Sequence, residues 1–439
     1  MKKLTKEQFI SVSVMLFGLF FGAGNLIFPP LLGNQAGSKT LESLLFFSVT
    51  AVVFPILGVV VVAKTKGLSN LSGRVGKYFA FVYTAMIYLA IGPGLGIPRA
   101  GSLPFEMAVA PYLPNGTSIM VSRLIYTSMF FLVAYLICLR PSKLVNRMGK
   151  FLTPALLILI LVMFLGVLFN NPNNVAQPLE VYKNAKVKGF LEGYNTMDTI
   201  AALNFGLVIS LAIKSFKVDD EKQVMNYTIK AGVVAGIFLF VVYAMLSYIG
   251  MTTSGLNQGA KNGAEILSST SLYVFGDFGI ILLAGIFTLA CLTTCVGLIT
   301  SVSQYFAKLT NDKVSYNAWI TIWSLISFFV ANFGLNVILK ISVPVLVAIY
   351  PVSIVLIVLG LTQKHLKYNK FAYRLICGVT VFISLVEALK TANIKLPLIT
   401  DLVIKLPFFD ISLGWVVPMF VCFALSFLQK FTFGKTKEF

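Results

Sequence analysis

The sequence predicts an all-α protein built into a membrane and crossing it about twelve times. Three observations lead there. Of 439 residues, 57% are hydrophobic and 12% charged, where a soluble domain carries about 25% charged residues, and mean hydropathy is +0.88. The apolar residues gather in runs long enough to span about 30 Å of hydrocarbon as helix, which takes about 18 residues or more. The basic residues fall in alternate connections between those runs, the pattern that orients helical membrane proteins.

The runs lie at residues 8–33, 41–63, 78–100, 118–139, 150–169, 189–213 and 229–250, then 273–306, 316–333, 337–361, 371–390 and 411–430. Short polar or Pro/Gly-containing connections such as 64–77 and 170–188 join them. None is long enough for an extramembrane domain, so residues 1–439 read as one polytopic unit. The start, MKKLTKEQF, leads into a span too long for a signal peptide and without a small-residue cleavage site, so it reads as an uncleaved first helix.

With a cytoplasmic N-terminus, the inner connections and termini hold most of the 35 basic residues. They include Lys64, Lys66, Arg74 and Lys77, then Arg140, Lys143, Arg147 and Lys150, and the loop around His365. An even number of spans puts both termini in the cytoplasm. The net charge of +19 is thus topology and contact with anionic lipid, not nucleic-acid binding. Lys183, Lys186 and Lys188 run against the pattern, on an outer loop.

Catalytic chemistry finds little support. His365 is the single histidine, and Cys138, Cys291, Cys295, Cys377 and Cys422 all sit in apolar runs without metal-ligand spacing. No G-x-x-x-x-G-K-[ST] loop is present to bind ATP. Neither the charge rings of a channel nor the clustered acids and bases of an enzyme appear.

Within the first span, Gly22, Ala23 and Gly24 remove bulk, Asn25 places an amide at membrane depth, and Pro29 and Pro30 remove two backbone donors. Freed backbone groups in hydrocarbon cost several kcal/mol unless protein, water or ligand satisfies them. The segment reads either as a packing kink or as a transport site. The sixth span has a matching interruption, Gly193-Tyr194-Asn195-Thr196-Met197-Asp198, with an acid where charge is costly; a residue at the interfacial helix end is the other reading of Asp198. Breaks opening two five-span halves point to an inverted repeat, one half over about 8–169 and the other over about 189–361, with two further helices over 371–430. In the eighth span Ala290, Thr293 and Thr294 share a face. Their oxygens suit a hard cation, or else the hydroxyls bond back to their own helix.

The segments FGLFFGAGNLIFPPLLG, GYNTMDTIAALNFG and TLACLTTC together resemble the bacterial branched-chain amino acid:cation symporters, and the likeness covers essentially the whole chain in length and span pattern. That resemblance implies a LeuT-like five-plus-five fold in the bacterial cell membrane, with spans one and six broken. It implies a Na⁺ site from the carbonyls of Gly18 and Phe21 with Ala290, Thr293 and Thr294, and a second from Ala23 and Asn25. The proline after Asn25 comes one residue sooner than in LeuT, so the exit from the break differs. Leucine, isoleucine and valine are the implied substrates and Na⁺ or H⁺ the coupling ion, with no other cofactor and no obligatory protein partner. The N-terminal half-helix at Gly22–Asn25 is suited to the substrate carboxylate. Tyr194, Asn195, Thr196, Met197 and Asp198 are expected to take its ammonium, and Phe17, Phe21 and Met197 its side chain. The same pattern also fits a symporter for another amino acid or a nucleobase.

Overall fold

A computed structural model describes residues 3–170, 172, 174–363, 370–394 and 403–432. The predicted loop around His365 and the terminal Lys2, Lys435 and Lys437 lie outside these. The helices are α1 Lys6–Phe20, α2 Ala23–Ala36, α3 Thr40–Ser48, α4 Phe54–Thr65, α5 Leu68–Gly73, α6 Lys77–Leu89, α7 Gly96–Ala108, α8 Ile119–Cys138 and α9 Thr153–Asn170. The second half holds α10 Ala185–Glu192, α11 Asp198–Lys214, α12 Glu221–Thr252, α13 Gly263–Phe275, α14 Asp277–Leu309, α15 Tyr316–Ala331, α16 Leu335–Thr362, α17 Lys370–Thr391 and α18 Val416–Thr432. There is no strand among the described residues.

Helix occupies most of each predicted range, the last of which, expected from 411, begins at Val416. Nine stretches have the length and hydropathy to cross a bilayer, with two shorter apolar helices besides, among the described residues. One of the nine, Ala23–Thr65, is two elements: at Gly37 the backbone takes φ +49°, the chain turns, and α3 packs back on α2.

Two other predicted spans need correction. The third, expected unbroken over 78–100, is interrupted: Gly92 leaves helical geometry at ψ −124° beside Pro93, and α7 restarts at Gly96. Its Gly-Pro-Gly sequence lacks both side-chain constraint and a donor. The eighth starts at Asp277 rather than 273, because Gly276 at φ +57° separates it from α13, a helix the hydropathy pattern had merged with loop.

Lipid offers no hydrophobic drive for helix association, so close backbone packing must do it. The α2–α12 contact illustrates this: a side chain at Gly33 would overlap the Ser247 carbonyl, and one at Gly250 would overlap that of Pro30. α12 also packs on α1, and α1 in turn contacts α11 and α14. The broken first span is thereby enclosed on several sides.

Candidate functional site

The site begins with what an interrupted helix leaves unbonded. α1 closes with the Phe21 N–H donating to Phe17 at 2.8 Å, and Phe21 and Gly22 then run extended before α2 restarts at Ala23. Asn25 folds back so that its Oδ1 accepts the Gly22 N–H at 3.0 Å. Its Nδ2 is left free to donate across the membrane interior to Asp198 Oδ2 at 2.6 Å. The Tyr243 hydroxyl of α12 donates to the same oxygen at 2.7 Å and also meets the Asn25 amide. All three side chains are buried.

Asp198 owes its position to the second interruption. After α10 the chain makes a tight turn over Gly193–Thr196. Met197 then adopts the left-handed conformation at φ +68°, and α11 opens on Asp198. Its carboxylate therefore sits at a helix N-terminus, where the backbone dipole favours negative charge. The second span supports this turn from behind through a π-helical segment, Val49–Val53, a distortion that frees carbonyls for outside partners. Thr50 there accepts from Thr199 at 3.0 Å and donates to Phe190 at 2.8 Å.

A narrow cavity lies between the two breaks, and Gly22, Ala23, Gly24, Asn25, Thr196, Met197 and Asp198 all line it. Tyr194 and Asn195 do not. The Tyr194 ring stacks on Tyr350 of α16 at 4.3 Å, and the Asn195 amide donates to Glu192 at 3.1 Å. The apolar wall also differs from expectation: Phe20, not Phe17 or Phe21, faces the cavity beside Met197, Ile91 and Leu298. Phe21, just past the end of α1, and Phe17 stack on each other at 5.1 Å inside the core.

On the other side of the first break, α14 approaches closely. The Thr294 hydroxyl reaches the Gly18 carbonyl at 3.4 Å, and a Cβ at Gly22 would sit 2.7 Å from the same hydroxyl. Thr293 instead donates to its own helix, to Leu289 at 3.1 Å and Ala290 at 3.0 Å. Ala290 and Thr293 are fully buried. Of the residues expected to hold a cation, Thr294 is thus the one that α14 brings to the Gly18 carbonyl, while the Thr293 hydroxyl is engaged within α14, in part by the Ala290 carbonyl.

Two residues of this region were not singled out from sequence. Tyr243 gave no signal, being one aromatic in an apolar helix. Arg99 did give one: a lone cation inside a span is functional by default. It is 3% exposed and lines the cavity. Its Nη1 donates to the Asn195 carbonyl at 3.4 Å, and the guanidinium lies 5.5 Å from the centre of the Phe28 ring. Its Nε and Nη2 have no partner among the described residues.

Comparison with known proteins gives a consistent result. A family model described as branched-chain amino acid transport protein matches residues 5–432. The chain is 40% identical over 438 residues to the branched-chain amino acid permease BraB of Bacillus subtilis, covering 99% of this chain and 98% of that one. It is 38% identical over 440 residues to the branched-chain amino acid transport system 2 carrier protein of Pseudomonas aeruginosa, covering 100% and 99%. Among solved structures it shares its fold with Mhp1, a nucleobase-cation-symport-1 family transporter, at TM-score 0.59 and 11% identity over 98% of this chain and 94% of that one. MhsT in complex with L-phenylalanine matches at TM-score 0.54 and 14% identity, over 97% and 99%.

Proposed function

The chain belongs to the family of branched-chain amino acid transport proteins, and from that premise we propose that it carries leucine, isoleucine and valine into the cell by cation-coupled symport. Na⁺ is the favoured coupling ion over H⁺. The observation that carries this reading is the meeting of the two broken spans at the buried Asn25–Asp198 hydrogen bond. Half-helix ends and a carboxylate converge there on one cavity, as a zwitterion requires.

In this reading the first-turn N–H groups of α2 face the substrate carboxylate, and Asp198 with the Thr196–Met197 turn faces the ammonium. Phe20, Met197, Ile91 and Leu298 surround the side chain. Such a wall separates leucine, isoleucine and valine poorly, since a methylene is worth about 1–3 kcal/mol, so one carrier serves all three. The cation sits at the α1–α14 junction, held by the Gly18 and Phe21 carbonyls with Ala290, Thr293 and Thr294. A second cation contact at Ala23 and Asn25 competes with the use of Asn25 Oδ1 as the cap for Gly22.

Segments 8–169 and 189–361 form the two inverted halves, and rocking of the broken-helix bundle against the remaining helices alternates access. Both termini face the cytoplasm of a bacterial cell. The test is uptake of radiolabelled leucine into proteoliposomes, first under an inward Na⁺ gradient and then under an inward H⁺ gradient. Concentrative uptake driven by Na⁺ and competed by isoleucine and valine is expected. Uptake indifferent to both gradients would contradict coupling.

A further inference from the structure

We infer that Arg99 is the anchor for the substrate carboxylate, so that the cavity holds a zwitterion between a guanidinium and the Asp198 carboxylate. The inference rests on the branched-chain amino acid reading and adds a residue to it.

An arginine within a membrane span is held there at a cost of several kcal/mol unless its charge and all of its N–H groups are satisfied. Arg99 is 3% exposed, yet Nε and Nη2 have no hydrogen-bond partner among the described residues. Among the described residues its side chain makes one hydrogen bond, the long one to the Asn195 carbonyl, and no salt bridge reaches it. The nearby carboxylate is already engaged, because Asp198 Oδ2 accepts from both Asn25 and Tyr243. The cavity thus carries one positive and one negative group that do not bond to each other. Two N–H donors on one edge of a planar guanidinium form the fork that pairs with a carboxylate in bidentate fashion.

The backbone around Arg99 places that fork against the first break. The Gly92–Leu95 interruption restarts the third span at Gly96, one turn before Arg99. A Cβ at Gly24 would lie 3.0 Å from Arg99 Nη2, 3.0 Å from the Thr196 Cα and 3.1 Å from the Asn195 carbonyl oxygen. The unpartnered Nη2 therefore lies beside the first turn of α2, whose N–H groups have no intrahelical acceptor. Guanidinium and helix N-terminus converge on the same spot from two sides, and both favour an anion. The Phe28 face steadies the cation without using an N–H.

The experiment compares leucine, leucinamide (carboxylate blocked) and 4-methylpentanoate (ammonium absent) by equilibrium binding to purified protein at saturating Na⁺. Wild type is expected to bind leucine about thirtyfold or more tightly than leucinamide, the loss typical of an unpaired buried charge. R99Q should bring that ratio to within about threefold and leave the preference for leucine over 4-methylpentanoate unchanged. R99K, which keeps the charge but not the fork, should fall between, and it decides the matter if R99Q is not monodisperse. A variant that weakens all three ligands alike, keeping the wild-type leucine-to-leucinamide ratio, would overturn the assignment of Arg99. Wild-type protein that binds no leucine would instead overturn the branched-chain reading on which it stands.

Discussion

Asn25 and Asp198, 173 positions apart in the chain, are joined by a 2.6 Å hydrogen bond inside the membrane. The same asparagine caps the break in the first span through its other amide atom. One side chain thus both ends the extended segment at Gly22 and ties it to the start of α11. Because Tyr243 donates to the same carboxylate oxygen, three helices meet at one acceptor. Any movement that separates the two broken spans has to break this bond.

Removing the amide should therefore be costly twice over. Asn25→Ala loses a helix cap, worth about 1 kcal/mol, and takes one of two donors from a buried carboxylate, worth about 1–3 kcal/mol. The variant should insert, show a lower unfolding temperature, and transport leucine at least about tenfold more slowly. Size-exclusion profiles beside uptake kinetics check this; wild-type stability and kinetics in the variant would contradict it.

Gly24 has backbone or guanidinium about 3 Å from its Cβ position on three sides. Gly24→Leu should abolish transport while leaving the protein inserted and monodisperse, since its neighbours need give only by a few tenths of an ångström and Gly24 lines the cavity. Gly33→Leu, whose side chain would meet α12 backbone, should instead fail to give monodisperse protein. Expression and size-exclusion of the two variants side by side measure the difference.

The two threonines of α14 should separate. Thr294 reaches across to α1 while Thr293 bonds to its own helix. Thr294→Ala should raise the Na⁺ concentration for half-maximal uptake by about tenfold, and Thr293→Ala by less. Leucine affinity at saturating Na⁺ should change little in either. Equal, unchanged Na⁺ dependence in both would remove α14 from the cation site.

Much of this was legible in the sequence because membranes punish exceptions. Gly22–Asn25 and Asp198 stood out as polar or flexible residues where uniform helix was expected, and the structure brings both to one cavity. The helix positions followed from hydropathy. What stayed hidden depended on direction. Which of Phe17, Phe20 and Phe21 faces the cavity is set by rotation about α1 and by its ending at Phe20, and the turn at Tyr194–Asn195 points those side chains toward α16 and Glu192. The Gly92-Pro93-Gly94 interruption and Arg99 were visible as residues, yet an unbroken hydropathy run concealed them.

Topology gives an independent check. Asn115 and Lys313 are both exposed, on connections the charge pattern assigns to opposite sides. With no other reactive thiol on the surface, a cysteine at Asn115 should react with an impermeant reagent from outside, and one at Lys313 only after the membrane is opened. Labelling of both from the same side would contradict the orientation.

The most direct measurement is the mutual dependence of leucine and Na⁺ binding in purified protein. Coupled sites must change each other's affinity by the same factor. Leucine should bind at least about tenfold more tightly at saturating Na⁺ than without it, and Na⁺ should tighten by an equal factor with leucine present, Thr294→Ala raising the Na⁺ concentration needed for the effect by about tenfold. Leucine affinity that is the same with and without Na⁺ would contradict a Na⁺-coupled site built across the break in the first span.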